Sequence, residues 1–180
     1  MLVKEALRDG DLAIDATAGN GHDTAFLAEC VGPGGRVIAF DIQPEAIRQA
    51  LMHVTECGFA DRVEFHQESH TRITAHASPA TVAAVMFNLG YLPGGDHSIA
   101  TDVSETLDAI DQAAEMLKPG GLLSIVCYPG HAAGSGEAAA VEEKITSLTS
   151  DGWRVAAYTL CGTQKPAPFL LLACKHRDAC

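Results

Sequence analysis

A parallel sheet with helices on both faces, closed at one edge by an antiparallel hairpin, is the α/β fold that these 180 residues predict. Three observations carry the expectation. Short β-branched runs alternate with longer helical patterns along most of the chain. A glycine loop, Asp15-Ala-Thr-Ala-Gly-Asn-Gly21, separates the first run from the first long helical pattern. Only residues 161–168 part the last two runs. A parallel pair needs a crossover of about a dozen residues or more, so those two strands pair antiparallel.

Taken in order, strands are expected over 12–16, 36–41, 63–67, 82–88, 122–128, 153–160 and 169–174. Helices are expected over 22–30, 44–57, 69–75, 99–117 and 137–150. Pro44 suits the first turn of its helix, where a missing N–H costs nothing. Gly58 and Pro119-Gly120-Gly121 read as helix stops. Five strands joined by crossovers and then a hairpin make a seven-stranded sheet similar to the Rossmann-like plan of class I methyltransferases. The pattern is that of a single domain over 1–180, with no repeat, linker or low-complexity stretch.

Composition narrows the function. The chain is 47% hydrophobic, yet no run approaches the roughly 18 apolar residues of a membrane span. Met1–Arg8 is a short amphipathic helix pattern without the apolar core of a signal peptide, so the cytoplasm is the expected compartment. The six cysteines, at 30, 57, 127, 161, 174 and 180, form no CxxC pair and no Cys/His cluster at ligand spacing. They read as reduced thiols, and no metal site is expected. A net charge of −11 argues against broad affinity for nucleic acid. A local basic patch built from Lys4, Arg8, Arg72, Arg154, Lys165, Lys175 and Arg177 remains open, and a dimer would join two of them.

The opening motif is a cofactor loop. Asp15 ends the first strand, at the edge where open α/β sheets bind ligands. Gly19 and Gly21 let the backbone turn tightly and approach a ligand, and the following helix aims its N–H groups back at that space. A dinucleotide fingerprint would need glycine at 24, where the chain has Thr24. The pattern is nearer D-x-[small]-x-G-x-G, with Thr17 in place of the usual first glycine. That suits S-adenosylmethionine, which has no pyrophosphate, with Asp15 facing its amino acid end directly or through water. Asp41 ends the second strand, 20 residues after Gly21, the distance at which an acid binds ribose hydroxyls. Ile42 and Gln43 would flank the adenine. Glu68 closes the third strand, placed for the adenine amino group, and Ser69 and His70 follow it.

The chemistry is expected from two later loops. Asn88-Leu-Gly-Tyr91 ends the fourth strand and resembles the Asn/Asp-Pro-Pro-Tyr loop of enzymes that methylate amino nitrogens. A neutral amine must aim its lone pair along the carbon–sulfur axis, and the Asn88 oxygen with nearby carbonyls can accept its hydrogens. Tyr91 can stack on a planar substrate. Tyr128 and His131 follow the fifth strand, and His131 can accept a proton or position the substrate. Gly134-Ser135-Gly136 then leads into a helix with Glu137 in its first turn.

Together, "DATAGNGHDT", "FDIQPEAI", "MFNLGYLPGGD", "YPGHAAGSGE" and "TQKPAPFL" resemble the bacterial family of S-adenosylmethionine-dependent methyltransferases labelled rRNA methylases. Members of that family methylate the wobble 5-aminomethyl-(2-thio)uridine of tRNA. The resemblance implies cofactor contacts at Asp15, Thr17, Gly19, Asn20, Gly21, His22, Asp23, Thr24, Asp41, Gln43, Ser69 and His70. It implies substrate-side roles for Asn88, Tyr91 and His131, an RNA partner near a tRNA anticodon, and a homodimer. Two departures stand out. Relatives carry about twenty further residues before the first strand, and here Thr163-Gln-Lys-Pro-Ala-Pro168 replaces an Asn-Gln followed by paired prolines. An rRNA methyltransferase, a small-molecule N- or O-methyltransferase and a non-catalytic cofactor-binding module are the alternatives. A nicotinamide oxidoreductase would need a third loop glycine, where this chain has Thr24.

Overall fold

A computed structural model describes residues 2–90, 102–130 and 132–176. The helices are α1 (Leu2–Ala6), α2 (His22–Val31), α3 (Pro44–Glu56), α4 (Ile73–His76), α5 (Val103–Met116) and α6 (Ala132–Ser147). The strands are β1 (Leu12–Asp15), β2 (Arg36–Phe40), β3 (Val63–His66), β4 (Val82–Leu89), β5 (Leu117–Cys127), β6 (Arg154–Tyr158) and β7 (Phe169–Cys174). They form one seven-stranded sheet in the order β3-β2-β1-β4-β5-β7-β6. The first five run parallel, and β7 lies antiparallel between β5 and β6. The terminal hairpin is as the short 161–168 connection requires.

Strand alternation divides the core between the two faces. Ile14, Ile38, Val85, Phe87, Leu123 and Ile125 pack under Ile73, α5 and α6. Ala13, Val37, Ala83, Ala84 and Leu122 pack under α1 and α2, through Val3, Leu7, Leu27 and Val31. The central strands are apolar on both sides because both sides are covered. The strand order reverses between β1 and β4, so these two strands part at their carboxyl ends and leave a crevice.

Several boundaries differ from expectation, each for a local reason. α5 stops at Met116, and Pro119-Gly120-Gly121 belongs to β5 instead of stopping the helix. Leu117 pairs with Val82, the register then shifts, and Ala84 resumes opposite Leu122. Gly120, at φ 78°, makes this bulge, and its N–H donates to the Lys175 carbonyl at 3.0 Å. The helix expected near residue 99 begins at Val103 among the described residues, where Asp102 accepts from the N–H groups of Ser104 and Glu105. α6 starts at Ala132, not Glu137, so Gly134 and Gly136 lie inside it and Glu137 is in its second turn. Packing of Ala138, Val141 and Ile145 offsets the roughly 1 kcal/mol that each helical glycine costs. The 69–75 stretch splits into a 3-10 turn, His70–Arg72, and the short α4. Cys30, Cys57, Cys127, Cys161 and Cys174 are free thiols. Among the described residues no helix is long and apolar enough to cross a membrane.

Lys175, a candidate for a basic patch, is spent inside the fold. Its Nζ donates to the carbonyls of Ala114 (2.7 Å) and Leu117 (2.8 Å), at the end of α5. Lys175→Met strands those carbonyls and should lower unfolding free energy by roughly 1–3 kcal/mol in urea titrations. An unchanged midpoint would remove Lys175 from this role.

Candidate functional site

Four loops meet at the carboxyl ends of β1, β2, β3 and β4. The loop after β1 is fixed from both sides. The Ala16 N–H donates to the Met86 carbonyl (2.9 Å), and the Ala18 N–H donates to the Phe40 carbonyl (2.8 Å). Gly21, at φ 83°, caps α2, and a Cβ there would lie 2.6 Å from the Ala50 Cα. Glycine is required at that crossing of α2 and α3.

Asp15 is buried beneath this loop, 1% exposed. One oxygen accepts from the Thr17 N–H (3.1 Å) and the other from the Thr24 hydroxyl (2.5 Å). Burial pushes its carboxyl up to about 7. The Thr24 and Thr17 hydrogen bonds oppose that rise, and the charges of Asp23 and Asp41 add to it. Its carboxylate thus shapes the loop from below. Thr24 fills, fully buried, the place where a dinucleotide loop has its third glycine.

Asp41 reaches across to the same loop. Its Oδ2 accepts from the Gly19 N–H (3.0 Å) and its Oδ1 from the Gln43 N–H (2.9 Å). Each oxygen keeps a second lone pair for a ligand hydroxyl. Ile42 beside it is 53% exposed. Glu68 turns its carboxylate to His76 (3.4 Å) and Arg72 (3.5 Å). Ser69 caps the following turn, and its hydroxyl donates to Glu105 at 3.4 Å. His70 is buried, donates to the Ala16 carbonyl, and meets the Phe87 ring edge-on at 5.8 Å. Burial depresses its pKa, which keeps the ring neutral. Its Nε2 has no hydrogen-bond partner among the described residues. His22 leans toward α3, with its Nδ1 3.1 Å from the His53 Nε2.

Asn88 stands exposed at the end of β4, directly across the crevice from the glycine loop. Its N–H donates to the Thr17 hydroxyl at 2.7 Å, and its side-chain amide lies 3.4 Å from Asp23 Oδ2. That donor contact assigns the amide nitrogen toward Asp23 and turns Oδ1, the acceptor, away from it. Thr17, the departure from glycine, therefore ties the glycine loop to the end of β4. Two residues on, Gly90 lies beneath the Tyr128 ring, and a Cβ there would sit 3.1 Å from Tyr128 Cδ2. Tyr91 and His131 lie outside the described residues.

No sequence motif marks the contacts on the helical side of the rim. Glu137 is buried and accepts from the Thr106 hydroxyl at 2.9 Å, joining α5 to α6. Glu105 and Glu137 both act electrostatically on His70. These residues share no motif with the loops, and only helix packing brings them there.

The donor set fits S-adenosylmethionine. Carboxylates at 23 and 41 favour a sulfonium and an ammonium over a pyrophosphate, and Thr24 closes the dinucleotide position. The buried Asn20 Oδ1 has no hydrogen-bond partner among the described residues, an acceptor suited to a ligand donor.

The family model described as "Putative rRNA methylase" matches residues 37–174. The chain belongs to this family. It is an S-adenosylmethionine-dependent methyltransferase of the Rossmann-like class. It is 35% identical to a tRNA (mnm(5)s(2)U34)-methyltransferase, chloroplastic, of Arabidopsis thaliana, over 97% of this chain and 67% of that protein. A crystal structure of a "putative rRNA-methylase" from Clostridium thermocellum superposes with TM-score 0.92 at 38% identity, covering 97% and 93% of the two chains. A methyltransferase from Streptococcus mutans, solved in complex with SAH, gives TM-score 0.86 at 31% identity, covering 96% and 93%.

Two outcomes follow from the acids. Asp41→Ala removes two charge-assisted hydrogen bonds from the loop, and ribose hydroxyls lose their acceptor. Calorimetry with S-adenosylhomocysteine should show affinity lowered roughly 10- to 100-fold; unchanged affinity would detach Asp41 from the cofactor. Asp15, raised to about 7 when folded against 3.8 for a free aspartate carboxyl, binds a proton in the folded chain that the unfolded chain has already released. Stability from this residue is therefore lost as pH rises through that window. Between pH 5 and 7 the wild-type protein should lose roughly 2–3 kcal/mol relative to Asp15→Asn in denaturant titrations. Parallel pH slopes for the two proteins would contradict the buried, protonated carboxyl.

Proposed function

We propose that this methyltransferase acts on an RNA amine, the wobble 5-aminomethyl-(2-thio)uridine of tRNA, and yields the 5-methylaminomethyl form. The observation that carries the reading is Asn88, held by Thr17 and Asp23 across the β1/β4 crevice with its Oδ1 turned away from Asp23. The plant relative's named substrate and the family description support RNA over other acceptors. We assign cofactor contacts to Asp15, Thr17, Gly19, Asn20, Gly21, His22, Asp23, Thr24, Asp41, Ile42, Gln43, Glu68, Ser69, His70 and Asn88, with Asp15 acting through the loop. Tyr91 and His131 complete the substrate side.

Bound S-adenosylmethionine supplies an electrophilic methyl carbon on a sulfonium sulfur. Asn88 Oδ1 accepts a hydrogen from the neutral amine and aims its lone pair at that carbon. Asp23 and Thr17 fix Asn88 from the side chain and the backbone, so the orientation is set before substrate arrives. The nitrogen sheds its extra proton to an acceptor at the rim, a role we give to His131.

The charge of −11 sets a condition on RNA binding: contacts must be few and local. Lys165 meets it. It is exposed on the loop between β6 and β7, and the neighbouring Pro166 carbonyl lies 3.5 Å from a Cβ built on Gly130, just beyond β5. A homodimer is part of the proposal. Edge strand β6 ends in Tyr158, 68% exposed, and Leu160 beyond it is 57% exposed, which supports a second copy there.

The test is methyl transfer from labelled S-adenosylmethionine to tRNA from cells lacking the modification, read by nucleoside mass spectrometry. The labelled 5-methylaminomethyl nucleoside is expected. Label in ribosomal RNA alone, or in a small-molecule acceptor with no RNA labelled, would replace this reading. In the same assay Asn88→Ala should cut kcat by about 100-fold or more while S-adenosylhomocysteine affinity holds within about twofold. Normal turnover would take Asn88 out of the mechanism.

A further inference from the structure

Outside the cofactor rim, on the far edge of the sheet, three ligand-type side chains converge. Glu64 and His66 are two residues apart on β3 and so share one face. His76 ends α4 and lays its ring against His66, with centroids 3.8 Å apart at 41°. Each of Glu64, His66 and His76 presents one ligand atom, and these atoms lie within 4.8 Å of one another. His66 Nε2 is 2.9 Å from Glu64 Oε1, and His76 Nε2 is 3.4 Å from Glu68 Oε2. The His66 Nε2 is buried, yet it has no aligned hydrogen-bond partner among the described residues. Both rings are held from behind by Phe40, stacked on His66 at 5.4 Å and edge-on to His76 at 5.4 Å.

We propose that Glu64, His66 and His76 form a binding site for a divalent transition-metal ion. Two imidazoles and a carboxylate are a zinc-type donor set. Magnesium and calcium prefer oxygen ligands alone. The competing partners are weak: Arg36 lies 3.4 Å from Glu64 and Arg72 lies 3.5 Å from Glu68, all four side chains 40–63% exposed. The spacing E-x-H followed ten residues later by H does not announce a site, because the turn and α4 must fold back on β3 to close it.

The ion has a structural task at this place. The His66 carbonyl accepts from the Asp41 N–H at 3.2 Å, so the cluster stands one residue from the proposed ribose acid. An ion clamps α4 to β3 and steadies the strand end that carries Asp41. It takes no part in methyl transfer, and its binding can be measured whether or not RNA is the substrate.

The experiment titrates the tag-free full chain, stripped with a chelator and dialysed, with zinc against a chromophoric competitor. One ion per chain is expected at the tight site. His66→Gln and His76→Gln should each weaken it by more than about 100-fold, beyond what an outer-shell partner costs. Glu64→Gln, at an exposed position, gives the same reading should a histidine variant fail to fold, with far-UV circular dichroism as the folding check. His53→Gln is the control, because His22, His53 and Cys57 make a second, looser group, with Cys57 Sγ 4.0 Å from His53 Nε2. No zinc retained against the competitor, or a loss confined to His53→Gln, overturns the proposal.

Discussion

Where β1 and β4 part, the Asn88 N–H donates to the Thr17 hydroxyl across 2.7 Å, and the rest of the site is arranged around that bond. Parallel strands on either side of a switch point have no ladder hydrogen bonds beyond their ends, so the loops above them are free to drift. A hydroxyl from one loop that binds the backbone of the other removes that freedom. Thr17 thus does in this chain what glycine cannot. It gives up some room in the crevice and gains a fixed distance between the glycine loop and Asn88.

Beneath this bond lies a second constraint. Asp15 holds Thr17 and Thr24 from a buried position, and burial raises its carboxyl to about 7. The site therefore carries a group near its titration point directly under the place proposed for a cationic cofactor. A sulfonium nearby would favour the ionised form. Asp41, by contrast, is only partly buried, and it grips Gly19 and Gln43 from the neighbouring strand. The two acids have the same side chain and sit at equivalent strand ends. Their surroundings divide them into a buried residue that shapes the loop and a partly exposed one.

Tertiary contacts also reassign residues that look alike in the sequence. Seven cationic side chains are candidates for RNA contact. Lys175 is drawn inward to the end of α5, Arg72 pairs with Glu68, and Lys165 remains exposed beside the rim. Glu137, which the glycine-rich lead-in places at a helix start, instead lies in the second turn of α6 and bonds Thr106. Glycine at 134 and 136 misleads because helix propensity is a weak term beside the burial of Val141 and Ile145.

The sequence alone determined the strand count, the terminal hairpin, the glycine loop and the acids at strand ends. Each of these is local: a β-branched run, a connection too short to cross over, a backbone turn only glycine allows. It determined the positions of Asp15, Asp41 and Asn88 because strand ends are read from where an apolar run stops. Only the tertiary structure decided what those side chains touch. The bond between Thr17 and Asn88 spans 71 residues, and the pair Thr106 and Glu137 joins two helices with no shared motif. The meeting of His66 with His76 depends on how a short turn folds back over β3. Hydrogen bonds and ring contacts act over a few ångströms in space, and no spacing along the chain encodes that distance until the sheet has set it.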